Sequence, residues 1–108
     1  MTDFLAQKCQ ARASAMSENA IRNHLAQMSG WREADGAIEK RFAFKGWLET
    51  VAFVDALAWM CHVEDHHPEL NVQFDRCRVR FATHSAGGVS MNDFICAAKA
   101  DALVAFLG

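Results

Sequence analysis

Between Glu69 and Phe81 the chain reads ELNVQFDRCRVRF, and this alternation constrains the fold more than any other stretch. A turn at Asp75-Arg76 would pair Leu70 with Phe81, Val72 with Val79 and Phe74 with Cys77. It would also pair Asn71 with Arg80 and Gln73 with Arg78. Every apolar residue then falls on one face and every polar one on the other, a segregation that a one-residue slip destroys. The stretch predicts an antiparallel hairpin with one dry and one wet face. Carried outward, the same register sets His67 opposite His84, so that "DHHP" and "THS" meet at the open end of the hairpin. Pro68 removes a ladder donor there and favours a bend.

The other elements follow from similar signals. Asp35-Gly36 is a strong short hairpin turn, joining Trp31–Ala34 to Ala37–Phe44, where Ile38, Phe42 and Phe44 alternate with charged or small residues. Ser17 reads as the N-cap of a helix over residues 18–28, with Ile21, Leu25 and Met28 on one stripe and Gly30 as its stop. From Gly46 to Val63 a second helix is apolar around most of its circumference. In so small a domain, that predicts packing on a sheet at one side and on another subunit at the other. Ser90-Met91-Asn92-Asp93 resembles a capping box, with Asp in place of Glu, opening a third helix through Leu107. The order α-β-β-α-β-β-α predicts an α+β fold, a four-stranded antiparallel sheet with three helices packed on one face. Residues 1–16 read as a loosely packed or partly helical leader, and residues 17–108 as a single domain.

Composition matters here for what it excludes. A net charge of -2 gives no global attraction to nucleic acid or to an anionic membrane. No window reaches the roughly 18 consecutive apolar residues of a membrane span. The N-terminus has no secretory pattern, and Cys9, Cys61, Cys77 and Cys96 are scattered without a CxxC pair. Reduced thiols and a cytoplasmic location are therefore expected. The row Arg76, Arg78, Arg80, with Arg41 and Lys45 nearby, reads as the solvated side of a half-exposed sheet, so nucleic acid is not expected as a partner.

His66, His67 and His84 are the candidates for chemistry. Imidazoles near one another can do acid–base work, since an ordinary pKa of about 6.5 allows both forms near neutrality. The alternative is a polar loop whose histidines only cap and solvate it. A metal site built from His62, His66 and His67 with Cys77 or Asp65 is disfavoured. Pro68 discourages the helix that would align His62 with His66, and Cys77 lies at the far end of the hairpin. No metal is expected.

The sequence DHHPELNVQFDRCRVRFATH followed by GGVSMNDF, with GW before the first hairpin and RFAFKGW after it, resembles the pterin-4a-carbinolamine dehydratases from about Ser17 to Phe106. The resemblance implies the same α+β fold, a homodimer or homotetramer, and no cofactor beyond the pterin substrate. The implied reaction is loss of water from 4a-hydroxytetrahydrobiopterin to the quinonoid dihydropterin. This recycles the cofactor of aromatic amino acid hydroxylases, one of which would be a partner. By resemblance His66, His67 and His84 are catalytic, His66 and His84 being the acid and base and His67 mainly orienting the pterin. Asp65, Pro68, Thr83, Ser85, Asp93 and Trp31 would bind substrate; Asp93 also reads as a capping carboxylate and Trp31 as a core anchor. Two alternatives remain: a non-catalytic interaction or dimerisation protein of the same fold, or a role in another pterin pathway, that of the molybdenum cofactor. The chain departs from the family at His62, where a glutamate is common, and its absence would alter hydrogen bonding behind the histidines.

Overall fold

A computed structural model describes residues 3–107, with the side chains of residues 106 and 107 outside the description. Helix α1 (Glu18–Leu25) begins at Ser17, whose side chain accepts from the Ala20 N–H, and turns into β1 (Arg32–Ala34) through Gly30 at φ 86°. Asp35 and Gly36, at φ 50° and 76°, make the tight turn into β2 (Ala37–Ala43). This is the left-handed pair that a two-residue hairpin with the native twist requires. Helix α2 (Trp47–Glu64), strands β3 (Glu69–Gln73) and β4 (Arg76–Phe81), a 3₁₀ turn over His84–Ala86 and α3 (Met91–Leu107) complete the chain. The strands lie in the order β1-β2-β4-β3, all antiparallel. This is the predicted architecture.

The core lies between the sheet and the helices. Ile38, Phe42, Cys77, Val79 and Phe81 from β2 and β4 meet Phe53, Leu57 and Cys61 of α2 and Phe94 and Ala97 of α3, all buried. The segment preceding α1 is more closely packed than a loose leader. Phe4 is buried beside His24 and Phe94. Gln10 and Asn92 exchange two hydrogen bonds between backbone and amide, at 2.9 and 2.8 Å. The Cys9 N–H donates to Glu64, and the Cys9 and Cys96 sulfurs lie 3.5 Å apart as free thiols. Apart from His24 of α1, these contacts fall on α3 and on the end of α2, elements distant in sequence, so local pattern carries no sign of them.

The hairpin register differs from its expectation by a two-residue shift. Leu70 pairs with Val79, Val72 with Cys77, Asn71 with Arg78 and Gln73 with Arg76, around a turn at Phe74-Asp75. The turn is fixed from outside: the Phe74 carbonyl accepts from Thr50 Oγ1 at 3.0 Å and the Asp75 carbonyl from the Phe44 N–H at 2.8 Å. A shift of two preserves parity, so the dry and wet faces stay as expected while every cross-strand partner changes. His67 consequently loses its direct position opposite His84. Thr50 is fully buried, and its single hydroxyl proton is shared between the Phe74 carbonyl and the Gly46 carbonyl, the latter at 2.8 Å. Thr50→Val is expected to cost ~1–2 kcal/mol in urea unfolding by orphaning the Phe74 carbonyl, with the fold otherwise intact.

Strand β3 is an edge, and its apolar residues are not fully covered: Leu70 and Val72 are part exposed, and Phe74 at the turn is 66 % exposed. Helix α2 buries Thr50, Phe53, Leu57, Cys61 and Glu64, but presents Trp47, Leu48, Val51, Trp59 and Val63 outward. One side of this helix packs on the domain and the other is apolar and uncovered.

Candidate functional site

The end of α2 delivers the histidine pair. Asp65 closes the helix in the left-handed region at φ 53°, and the His66 N–H reaches back to the Cys61 carbonyl at 3.1 Å. A short polar side chain tolerates that conformation better than most. This turn sends consecutive imidazoles into different surroundings. His66 goes inward, its side chain 11 % exposed and stacked on the Phe81 ring, whereas His67 stays exposed.

Behind His66 lies a carboxylate taken out of solvent. Asp93, fully buried in the first turn of α3, is 2.6 Å from His66 Nε2 through Oδ1. Its Oδ2 accepts from the Ser90 N–H at 2.8 Å and from Thr83 Oγ1 at 2.9 Å. Thr83 spends its hydroxyl proton there, so Ser90 Oγ must be the donor in their mutual 2.6 Å bond. Ser90 Oγ in turn accepts from the Asn92 N–H. Every proton in the chain points toward Asp93, which suits a buried carboxylate. The hydrogen bond to Asp93 raises the His66 pKa above its ordinary value, against the lowering effect of burial; the Asp93 charge adds to the rise. Asp93 therefore both caps α3 and holds His66 toward the imidazolium form.

Beside this network opens a cleft of 580 Å³, within the range of small-molecule sites. His67, Pro68, Thr83 and His84 line it, with Asp35 and Gly36 of the first hairpin turn and Gly87-Gly88 closing other parts of the wall. Glu69 and Arg80 also border it, ion-paired to each other at 2.9 Å. His84 arrives by a route other than strand pairing. The chain leaves β4, makes an isolated bridge between Thr83 and Gly88, and carries an exposed His84 at the start of the 3₁₀ turn that Gly87 ends at φ 77°.

Of the residues singled out from sequence, His67, Pro68, Thr83 and His84 line the cleft, and His66 and Asp93 stand behind it joined to Thr83. Three lie elsewhere. Asp65 is exposed at the helix end, and Ser85 is exposed on the 3₁₀ turn outside the lining. Trp31 is buried in the core against Phe42 and Phe81, donating through Nε1 to Asp101 at 3.0 Å. Ser90, Asn92 and the Asp35-Gly36 turn were not singled out for the site. Apart from the family resemblance, the Ser90–Asp93 spacing signals a helix cap, and Asp35-Gly36 a turn.

A sequence model of the family described as "Pterin 4 alpha carbinolamine dehydratase" matches residues 14–103. The chain belongs to the pterin-4a-carbinolamine dehydratase family. A Nitrosomonas eutropha protein provisionally named as such a dehydratase is 43 % identical over 105 residues, covering 96 % of this chain and 93 % of its own. One from Stenotrophomonas maltophilia, named in the same provisional way, is 51 % identical over 90 residues, covering 82 % and 78 %. Among solved structures, a transcriptional coactivator/pterin dehydratase from Brucella melitensis superposes with TM-score 0.80 at 32 % identity, covering 83 % of this chain and 98 % of that one. A pterin dehydratase-like protein identified as a RuBisCO assembly factor in the alpha-carboxysome aligns at TM-score 0.59 and 30 % identity, covering 68 % and 88 %.

Within this family domain, His62 stands apart from the hydrogen bonds behind the histidines. His62 is exposed on the outer face of α2, edge-on to Trp59 at 6.3 Å. The carboxylate bonded to His66 is Asp93, so the substitution at position 62 leaves that hydrogen bond in place. Nearby Glu64 is buried and anchors the N-terminal segment, accepting from the Cys9 N–H at 2.9 Å and from Lys99 at 2.7 Å. Burial works to raise its pKa, and these donors outweigh burial and hold it below the ordinary carboxylate value.

Proposed function

We propose that the protein is a 4a-hydroxytetrahydrobiopterin dehydratase that works by histidine acid–base catalysis in the 580 Å³ cleft. The observation that carries this reading is the pairing of two cleft imidazoles, His67 and His84, with a third held by a buried carboxylate, His66 with Asp93. Dehydration breaks the C4a–O bond, and the leaving hydroxyl takes a proton to depart as water. The N5 proton is removed, and its electron pair forms the C4a=N5 bond of the quinonoid product. His66, kept toward its protonated form by Asp93 at Nε2, suits the acid, giving up the proton on its other ring nitrogen and regaining it from solvent between turnovers. His84, exposed at the cleft, suits the base at N5, and His67 orients the ring. Thr83 holds Asp93, and Pro68 shapes the wall.

The test is the dehydration rate of a carbinolamine generated in situ by a hydroxylase, with purified protein added. A rate above the spontaneous one supports the proposal. A folded protein that adds nothing to that rate removes it.

The same proposal includes assembly into a homodimer or homotetramer through the uncovered apolar surface of α2 and the β3 edge. Leu48 is 83 % and Trp59 68 % exposed, and an open strand edge invites pairing. Light scattering should give a mass of at least two chains. Leu48→Glu with Trp59→Glu should lower it, whereas a wild-type monomer at tens of micromolar would contradict assembly.

This surface also favours a second reading, a non-catalytic interaction protein of the same fold. It gains ground if a specific partner is retained by a His66→Ala/His84→Ala double variant and the wild type shows no dehydration.

A further inference from the structure

On the sheet face that the helices leave open, the positive charge is unevenly neutralised. Arg76, Arg78 and Arg80 alternate along β4 and so share that face, joined by Glu39 and Arg41 of β2 and by Glu69, Asn71 and Gln73 of β3. At the cleft end the charges balance. Glu39 is buried between Arg32 and Arg80, and Glu69 pairs with Arg80. Toward the Phe74-Asp75 turn they do not. Arg41 stands directly across from Arg78, a like-charge cross-strand pair that weakens a sheet, and neither has a carboxylate partner among the described residues. Arg76 has only the neighbouring Asp75, both half exposed, a pair of small worth. The Arg78 Nε–H is buried and has no acceptor among the described residues. Such a group ordinarily finds one.

Arg41, Arg76 and Arg78, with Asn71 and Gln73, line a cavity of 200 Å³ whose wall includes no acidic residue. We propose that this cavity is a binding site for a small phosphate-type oxyanion, free or as a monoester, separate from the histidine cleft. Three guanidinium forks offer more donors than one planar carboxylate accepts, whereas a tetrahedral dianion has oxygens for all of them, with the two amides as neutral donors. The site is local. Glu39 and Glu69 lie one row away on the same face and the chain is net negative, so an extended polyanion tracking the sheet would meet carboxylates.

The test titrates the full chain with inorganic phosphate at fixed ionic strength, chloride serving as reference, following melting temperature and the Arg Nε–H resonances by NMR. A saturable rise in melting temperature is expected, with the Arg78 Nε–H signal shifting most. Arg41→Gln and Arg78→Gln should each weaken phosphate binding about tenfold or more, while Arg12→Gln, the same charge change on an exposed residue, leaves it unchanged. Arg41 is exposed, so its variant keeps the fold and remains informative even if Arg78→Gln does not. Methyl phosphate and phosphatidic acid vesicles distinguish a soluble monoester from a lipid headgroup as the source; either one, lost in Arg41→Gln, supports the site. Absence of saturation, equal weakening by Arg12→Gln, or tighter Arg41-dependent binding of an oligonucleotide than of phosphate would each overturn it.

Discussion

Asp93→Asn is expected to destabilise the domain by ~2–3 kcal/mol and to reverse the direction in which the His66 pKa is displaced. Asp93 is fully buried with three donors on its two oxygens. An asparagine keeps one acceptor, which the Ser90 N–H and Thr83 hydroxyl would retain. Its amide NH₂ then faces His66 Nε2 and accommodates only a neutral ring with that nitrogen as acceptor. The wild-type sign is clear. The His66 pKa is raised on folding, so its contribution to stability is complete below the unfolded value of about 6.5 and is lost as pH rises through the folded value. In the variant the folded value falls, so the contribution lies on the alkaline side instead. The stability gap between the two proteins should therefore widen from about pH 8 to about pH 5.5 in urea unfolding. An NMR titration of His66 should show its midpoint above the ordinary value in wild type and below it in Asp93→Asn. A gap that does not change with pH, or an unmoved midpoint, would mean that the carboxylate only caps α3.

The second large effect is on the reaction. Removing a general acid or base ordinarily costs about 10²–10⁴ in rate, and His66→Ala and His84→Ala are each expected to fall in that range. The two differ in stability. His84 is exposed on the 3₁₀ turn, so its variant should fold and melt like wild type. His66 is stacked on Phe81 and partners Asp93, so its loss strands a buried carboxylate and should lower the melting temperature as well. Asp93→Asn should move the alkaline limb of the rate to lower pH, because it deprotonates the proposed acid sooner. His67→Ala should mainly raise KM. A His84→Ala rate within about twofold of wild type would remove His84 from the proton transfers.

What was legible in the sequence was parity and punctuation. Alternation from Leu70 to Phe81 gave the two faces of the hairpin, and Asp35-Gly36 gave the first turn, because both depend on residues a few positions apart. The partners within the hairpin were not legible. Thr50 of α2 and Phe44 of β2 anchor the Phe74 and Asp75 carbonyls, and no pattern inside residues 69–81 records that. The same limit applied to the site. The histidines stood out by type, but their meeting rests on a left-handed Asp65 and a Thr83–Gly88 bridge rather than on strand register. Asp93 was ambiguous between cap and site because it is both: one oxygen serves the first turn of α3 and the other serves His66. The N-terminal segment was unreadable for another reason. Its anchors, Glu64, Asn92 and Phe94, are far away in the chain and belong to elements with their own local explanations.

The central claim is that a pterin ring is held in the cleft between His67 and His84, in front of the His66–Asp93 pair. A crystal structure of the protein soaked with a dihydropterin measures this directly. The expected result places the ring in the cleft between His67 and His84, with its N5–C4a edge within hydrogen-bond reach of an imidazole and the His66–Asp93 bond intact. A ring bound elsewhere on the domain, or a cleft left without pterin at a concentration that saturates the protein in solution, would contradict it.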